Sequence, residues 1–330
     1  MAQYLVKRFL YMILLLWLLT LVSFIIIQLP PGDIVSSIVR RMAETGEAAD
    51  QAMMDAMREQ WGLDKPIHIQ YWRWFRNLLR GNMGFSFLLN RAVAEVVGER
   101  IALTALISGS TLIFTFVMAI PIGIYSATHQ YRAGDYVFSF VGFIGLATPN
   151  FLLALILMMG LLAVGMSPGG LFSPEYLKQP WSIGKVVDLL AHLPLPIVVV
   201  GTAGTAGVIR IMRATLLDEL EKQYVITARA KGVAETRLLF RYPVRVALNP
   251  IISTIGWLLQ VIVSGEIITA LVIGIPTVGP LLFRALQFQD MFLASSLLLM
   301  LNMLTVVGTL LSDLLLVASD PRIRFEARAG

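Results

Sequence analysis

The chain contains no cysteine and only three histidines among its 330 residues. Without thiols it has no disulfides, thiol catalysis or thiolate metal sites, although this leaves the cellular compartment open. His68, His129 and His192 lie in three different segments, and no two of them have the spacing of metal ligands. No serine, histidine and acid can be brought together by pattern, so we predict no catalytic residue, metal or cofactor bound by this chain.

A phosphate-binding loop is also absent, although the glycine-rich run 201–207 superficially resembles one. Such a loop needs lysine and then serine or threonine directly after its last glycine, whereas Val208 and Ile209 follow here. The other candidate, Gly184 with Lys185, fails because valine comes next. We expect the chain neither to bind nor to hydrolyse ATP, and the small residues of 201–207 to let neighbouring helices approach closely.

Charged residues are scarce, at 14%, while hydrophobic residues reach 57% and the mean hydropathy is +0.76. One water-soluble core cannot hide that much apolar surface, so the composition indicates an integral membrane protein. The pI near 9.6 suits loops that face anionic lipid, which the hydropathy favours over a nucleic-acid partner. Six stretches are long enough to cross a bilayer as helices: 9–29, 101–127, 136–165, 191–216, 248–273 and 290–317.

The first of these stretches is predicted to be a retained membrane helix. Lys7 and Arg8 before an apolar run could belong to a cleaved signal peptide. The run Phe9–Ile27 is too long for a typical signal core, however, and residues 29–33 offer no small-x-small cleavage site.

Basic residues predict the orientation of the six spans. They occur at the N-terminus, near residue 132, through 210–245 and in the tail. If the chain crosses the membrane six times, these four segments lie on the same side of it. The positive-inside rule makes that side the cytoplasm, while a long segment such as 31–100 translocates regardless of its arginines. The predicted parts are an N-terminal membrane helix at 1–30, an external (periplasmic) segment at 31–100, a five-helix core at 101–317 with a cytoplasmic loop at 217–247, and a cytoplasmic tail at 318–330.

The long external segment is predicted to be organised. It has a helical pattern over Ala48 to Gln60 and a concentration of aromatic residues from Trp61 to Phe75. Aromatic residues with arginine near a membrane are typical of interfacial anchors. A contact surface for a partner protein is an equally open interpretation.

Two acidic residues and several prolines fall inside the predicted spans. Glu266 belongs to a substrate pathway or to helix packing, because an unpaired charge at the bilayer centre is costly. Asp313 has the same two interpretations, with a structural partner favoured. The following prolines are predicted to kink or interrupt spans: Pro121, Pro149, Pro194, Pro196 and Pro276.

The loop at 217–247 carries two short helical patterns. Apolar residues from Tyr224 to Ala228 lie beside Arg229 and Lys231, and Gly232 is placed to end the first helix. The second helix runs from Ala234 to about Arg241 and stops before proline. Such a pair is either a docking surface for another protein or an element lying on lipid.

Five separated motifs carry a resemblance to one family. The segment 227–232 reads Thr-Ala-Arg-Ala-Lys-Gly, and arginines and a proline follow at 241, 245 and 250. Pro-Gly-Asp at 31–33 and Gly-Leu-Asp-Lys-Pro at 62–66 precede Gly-Asn-Met-Gly-Phe-Ser at 81–86, and Ser-Asp-Pro-Arg opens the tail at 319. Together they resemble the first-named membrane subunit of dipeptide, oligopeptide and nickel ABC importer permeases. Against the general permease motif the chain has Ile226 and Thr227 in place of glutamate and alanine. Its two departures from the pattern of these importers are Tyr242–Pro243 and Thr277.

The resemblance implies a function and a set of partners. The chain would form half of the path for short peptides in the bacterial inner membrane. It would pair with a second homologous permease, two cytoplasmic ATPase subunits that bind ATP and Mg, and an external substrate-binding protein. The residues implied to couple to the ATPases are Tyr224, Val225, Ile226, Ala228, Arg229, Lys231, Gly232 and Arg241.

Alternatives to peptide import stay open from the sequence. Within the family, the cargo could be an oligosaccharide, an opine-like compound or a nickel chelate. A secondary transporter or channel subunit would need no coupling loop.

Overall fold

The computed structural model describes residues 2–44, 51–167 and 169–319. These residues form fifteen helices and one short hairpin. The helices before the hairpin are α1 (Ala2–Gln28), α2 (Ile34–Glu44), α3 (Gln51–Trp61) and α4 (Ile67–Leu79). The hairpin pairs β1 (Phe85–Ser86) with β2 (Arg91–Ala92) in antiparallel register. The helices up to the loop at 217–247 are α5 (Val93–Thr128), α6 (Ala133–Ala147), α7 (Asn150–Ala163), α8 (Ile183–His192) and α9 (Pro194–Leu220). The remaining helices are α10 (Gln223–Ala230), α11 (Glu235–Arg241), α12 (Pro243–Ser253), α13 (Ile255–Ile273), α14 (Val278–Gln287) and α15 (Met291–Ser319).

Four helical segments are long and apolar enough to cross a membrane, and up to seven spans result if each of three bent helix pairs counts as one. The four are Phe9–Gln28, Val93–Thr128, Ile183–Leu220 and Met291–Ala318. The predicted helical membrane fold is confirmed apart from the short hairpin, and the predicted count of six, which lies inside this range, stays a prediction.

The third predicted span, 136–165, is not one continuous helix. It divides into α6 and α7, which meet at an angle of 104°. Thr148 between them has an extended backbone, as the residue before a proline prefers, and Pro149 immediately precedes α7 as its N-cap residue. The prediction that Pro149 kinks or interrupts this span is therefore confirmed.

The fifth predicted span, 248–273, is also divided, at Thr254 between α12 and α13. The bend between Glu235–Ser253 and Ile255–Val263 is 46°. Pro250 lies inside α12 and has no N–H to donate to the preceding turn. Thr254 closes the helix end by donating from both its backbone and its hydroxyl to the Ile251 carbonyl, at 3.0 and 2.6 Å.

The other prolines act as helix boundaries or are accommodated. Pro194 lies at the start of α9, where a backbone N–H would have no acceptor within the helix, so the lack of an N–H in proline costs no hydrogen bond. Pro276 lies in the connection between α13 and α14. The helix α5 continues through Pro121, so this proline does not interrupt it.

Two compact units divide the described chain, one with residues 105–275 and 305–319 and one with residues 2–104 and 276–304. They do not follow the predicted division at residues 30, 100 and 317, which stays a prediction about membrane sidedness.

In the first unit, α5, α9, α12 and α13 share a buried apolar core that includes Met212, Leu216 and Leu258. Small residues permit the contact. A Cβ on Gly201 would lie 2.6 Å from the Phe114 ring, so the close-packing interpretation of the glycine-rich run is confirmed there.

In the second unit, α14 and the hairpin join the start of α15. Its core includes Val93, Val278 and Leu293. Asp290 is fully buried and accepts hydrogen bonds from the Ser86 hydroxyl at 2.7 Å, the Leu88 amide at 3.0 Å and the Leu293 amide at 3.2 Å. One carboxylate thus caps α15 and holds the hairpin against it.

Candidate coupling segment

The two short helices α10 and α11 meet at a glycine turn. Gly232 follows the end of α10 with φ +79°, a left-handed conformation that suits glycine. Its amide donates to the Arg229 carbonyl at 3.0 Å, and the Val233 amide donates to the Ala228 carbonyl at 3.3 Å. These two bonds form a Schellman motif, which satisfies the open carbonyls at the helix end. The predicted helix-Gly-helix is confirmed.

An ion pair spans this turn. The Arg229 guanidinium donates two hydrogen bonds to the Glu235 carboxylate, at 2.6 and 3.2 Å. Both side chains are at least half exposed. The bidentate geometry orients α10 against α11, although solvent weakens its contribution to stability.

Buried side chains attach the pair to the rest of the unit. Val225 on α10 and Leu238 on α11 are both fully buried. Leu239 on α11 packs against the core to which α9 and α12 contribute. Each short helix is therefore held by an inward apolar residue while its other faces stay open.

Exposed apolar side chains cover the open faces. Tyr224 is 40% exposed, Ile226 46%, and Phe240 on α11 56%. Burial and the neighbouring Glu219 raise the pKa of the Tyr224 phenol, which donates a hydrogen bond to that carboxylate. Large apolar side chains exposed beside basic residues are typical of a protein contact site.

The structure brings most of the predicted coupling residues to this surface. Tyr224, Ile226, Arg229, Lys231, Gly232 and Arg241 are exposed, and Ala228 is partly exposed. Val225 differs, because its burial makes it an anchor of α10 and leaves it unable to touch a partner. The anchor Leu238 and the exposed Phe240 were missed by the sequence prediction. Both lie in the predicted second helix. Their separation of two residues places them on different faces of that helix, which the sequence pattern could have indicated.

The two acidic residues of the predicted spans are less informative. Glu266 belongs to α13, and its side chain lies outside the described part of the structure. Asp313 on α15 is partly buried and interacts with a neighbouring group, in keeping with the favoured structural partner.

The described residues contain no group of three or more histidine, aspartate or glutamate side chains that could hold a metal ion. What the segment offers is a rigid, partly apolar surface on two helices. It suits mechanical contact with another protein.

Comparison with known proteins identifies the family. Residues 119–325 match the family described as binding-protein-dependent transport system inner membrane component, and residues 1–108 match its N-terminal counterpart. The chain belongs to this family of ABC importer permeases. It is thus a multi-pass, non-catalytic subunit of the bacterial inner membrane, and the family associates with ATPase subunits and a substrate-binding protein.

Curated relatives match the permease over nearly its full length. The oligopeptide transport system permease protein AppB of Bacillus subtilis (strain 168) is 33% identical, over 98% of this chain and 100% of its own. A putative peptide permease of Brucella ovis is 32% identical over 98% of this chain and 99% of its own. The glutathione transport system permease protein GsiC of Escherichia coli (strain K12) is 27% identical over 99% of this chain and 100% of its own.

A solved structure matches the fold of the permease. It belongs to the MetNI methionine ABC transporter in an inward-facing conformation. The TM-score is 0.53 at 15% identity, over 68% of this chain and 96% of that chain.

Proposed function

We propose that the permease imports short peptides, as one half of a translocation path completed by a second homologous permease. An external binding protein delivers the peptide, and two cytoplasmic ATPase subunits bind ATP and Mg. Relatives named for oligopeptide, peptide and glutathione transport support this cargo over oligosaccharides, opine-like compounds and nickel chelates. Family membership sets aside a secondary transporter or channel.

The segment 217–247 is the proposed contact with an ATPase subunit. The observation that carries this proposal is the exposure of Tyr224 and Ile226 on a helix whose opposite side is fixed by buried Val225. An exposed apolar side chain on a rigid base can fill a partner's pocket at little cost in conformational entropy.

The connections of this segment suit it to transmit force. On one side α10 follows α9, and on the other α11 runs into α12. The Thr215 hydroxyl of α9 donates to the Ala247 carbonyl of α12 at 3.3 Å, beside the shared apolar core. Closure of the ATPase pair would push α10 and α11 and tilt α9 and α12 together. The path would then switch between inward and outward access.

Six spans with both termini in the cytoplasm complete the proposal. The segment 31–100 then faces the periplasm and 217–247 faces the ATPases. Glu266 stays a candidate for the pathway or for helix packing.

A charge substitution at Ile226 tests ATPase docking. Ile226→Asp should release the ATPase subunits from the detergent-solubilised complex, because a buried interfacial side chain contributes about 2 kcal/mol or more, or about 30-fold in affinity. Ile226→Leu, which keeps the apolar contact, is the matched control. Lys231→Gln should weaken the complex much less. The measurement is the ATPase retained per permease after affinity purification.

The opposite pattern would contradict docking. If Ile226→Asp keeps its ATPase subunits in detergent while Lys231→Gln impairs transport in anionic membranes, α10 lies on lipid.

The cargo requires a separate measurement. The intact importer should be purified with its binding protein, and the bound ligand identified by mass spectrometry. A peptide is the expected result, and an oligosaccharide, opine-like compound or nickel chelate would replace that part of the proposal.

A further inference from the structure

Helix α4 packs along the last third of α1. The Tyr71 hydroxyl and the Thr20 hydroxyl are 3.0 Å apart, and the Phe24 ring lies 5.3 Å from Tyr71 and 5.8 Å from Trp74. Near the end of α1, the Gln28 amide donates to Gln70 at 3.0 Å. The contacts of α4 therefore follow α1 from its end back into the apolar span.

This packing places α4 at a definite depth in the bilayer. The span runs from Phe9 to Gln28, 20 residues, which at 1.5 Å per residue equals about 30 Å, the thickness of the hydrocarbon core. Thr20 lies eight residues before the end, or about 12 Å inside it. The contacts of α4 centre on Phe24, which lies four residues, or about 6 Å, inside the end of the span. Helix α4 therefore lies in the outer part of the hydrocarbon core, within reach of the headgroups.

The face of α4 turned away from α1 has the composition of the boundary between hydrocarbon and headgroups. Its exposed apolar residues are Ile69, Trp72 and Leu79, at 40%, 57% and 74% exposure. Arg76 and Arg80 follow Trp72 at intervals of four, on the same side of the helix. An open recess on this side is lined by Trp72 and both arginines.

We infer that α4 is an interfacial helix that binds phospholipid, with Trp72 and Leu79 in the acyl boundary and Arg76 and Arg80 on headgroup phosphates. Guanidinium groups suit phosphate because they donate two hydrogen bonds in one plane. Tryptophan favours the membrane interface because its ring is apolar and its N–H is polar. The inference rests on α1 spanning the bilayer and is independent of the cargo.

The absence of cysteine from this chain allows a direct depth measurement. A nitroxide spin label is placed at Trp72→Cys in the full chain, reconstituted in vesicles of phosphatidylethanolamine and phosphatidylglycerol. Oxygen, which concentrates in hydrocarbon, should collide with this label several-fold more than it does at Gln60→Cys on α3. A water-soluble nickel chelate should show the reverse order.

Lipid retention tests the arginines. Purified chain in detergent is given phosphatidylglycerol, and bound lipid is measured by native mass spectrometry. Arg76→Gln should lower the affinity about tenfold, since a charged hydrogen bond is lost. Arg76→Lys should keep most of the binding. Arg40→Gln, an exposed arginine on α2 that carries the same charge change, should have no effect.

Two results would overturn the inference. One is equal access of the nickel chelate to positions 72 and 60, together with immobilisation of the label at 72 on addition of the soluble binding protein, which would make α4 a protein contact surface. The other is an equal effect of Arg76→Gln and Arg40→Gln on bound lipid. Neither result bears on ATPase docking or on peptide import.

Discussion

At the scale of single residues, Gly232 has an unusually simple role. A Cβ placed on it would meet nothing within 4 Å, yet its φ is +79°. A larger side chain at this position is opposed only by backbone strain. The effect of a substitution should therefore follow the backbone preference of the new residue and not its size.

Gly232→Val should abolish transport while the subunit still inserts in the membrane. A β-branched residue resists the left-handed conformation, at a cost of about 1–3 kcal/mol, so the turn between α10 and α11 changes geometry. Gly232→Asn should keep most of the activity, because asparagine tolerates this conformation. Peptide uptake by cells with equal amounts of each variant is the measurement. Normal uptake by the valine variant would be strong evidence against coupling through this turn.

Asp33 both caps α2 and pairs with an arginine of α3. Its carboxylate accepts from the Ser36 amide at 2.7 Å, which caps α2, and from Arg58 of α3 at 2.7 Å. Burial works to raise the pKa of Asp33, but the hydrogen bonds from Arg58 and Ser36 together hold it below its ordinary value. A lowered pKa means that the folded state stabilises the ionised carboxylate of Asp33 relative to its protonated form.

The stabilisation by Asp33 should consequently vanish in acid. It is fully present above the unfolded pKa, near 4, and is lost as the pH falls through the lower folded pKa. Asp33→Ala should destabilise the chain by about 1–2 kcal/mol at pH 7, and Asp33→Asn by less because asparagine still caps the helix. Thermal unfolding in nanodiscs should show the wild-type and alanine curves converging as the pH falls through the folded pKa of Asp33. A pH-independent gap would contradict this role.

At the scale of elements, one ion pair joins α6 to α9. Asp135 is 4% exposed and accepts two hydrogen bonds from Arg213, at 3.1 and 3.0 Å. It also accepts from the Tyr131 amide at 3.1 Å, at the turn that precedes α6. Arg213 lies near the end of the predicted fourth span, 191–216. Its partner supplies a physical reason why a charge is tolerated there.

Asp135→Ala should loosen α6 from α9. Removing the carboxylate leaves Arg213 without its bidentate partner, at a cost of about 1–3 kcal/mol, less than for a fully buried pair. Glu99→Ala is the control, since its pair with Arg91 is half exposed and should contribute less than about 1 kcal/mol. The midpoint of thermal unfolding in detergent compares the two. Equal losses would show that the Asp135 pair is no more important than a surface pair.

At the scale of the whole molecule, the number of spans depends on how the broken helices cross the bilayer. Helices α6 and α7 meet at 104° beside Pro149, and each forms its own backbone hydrogen bonds on its side of the break. Hydropathy alone sees such a pair as one span. Chemical access from each side of the membrane decides the question independently of hydropathy.

Single cysteines introduced into this cysteine-free chain should report the topology. An impermeant thiol reagent applied to sealed cells should label Gln60→Cys and Gln179→Cys, and should not label Thr236→Cys until the cells are opened. All three native side chains are exposed, so lack of labelling would reflect sidedness and not burial. Thr236 is preferable to Glu235, whose replacement would break the ion pair with Arg229. Labelling at 236 in sealed cells would overturn the six-span topology.

The sequence by itself determined the class of the protein and the outline of its coupling segment. Hydropathy is a local property, so apolar runs of about 20 residues identify membrane helices without knowledge of their neighbours. Glycine and proline also act locally, which is why the turn at Gly232 and the break at Pro149 could be predicted. The motifs were sufficient to indicate the family, which the comparisons confirm.

Only the tertiary structure decided which faces turn inward. Val225 and Ile226 are adjacent and both apolar, yet one is fully buried and the other 46% exposed. That difference arises from the packing of α10 on α9 and α11, which no local pattern records. The helices α2, α4, α8 and α14 were likewise not predicted, since each is too short to stand out as a membrane span. Burial depends on contacts between residues far apart in the chain, and these exist only once the chain has folded.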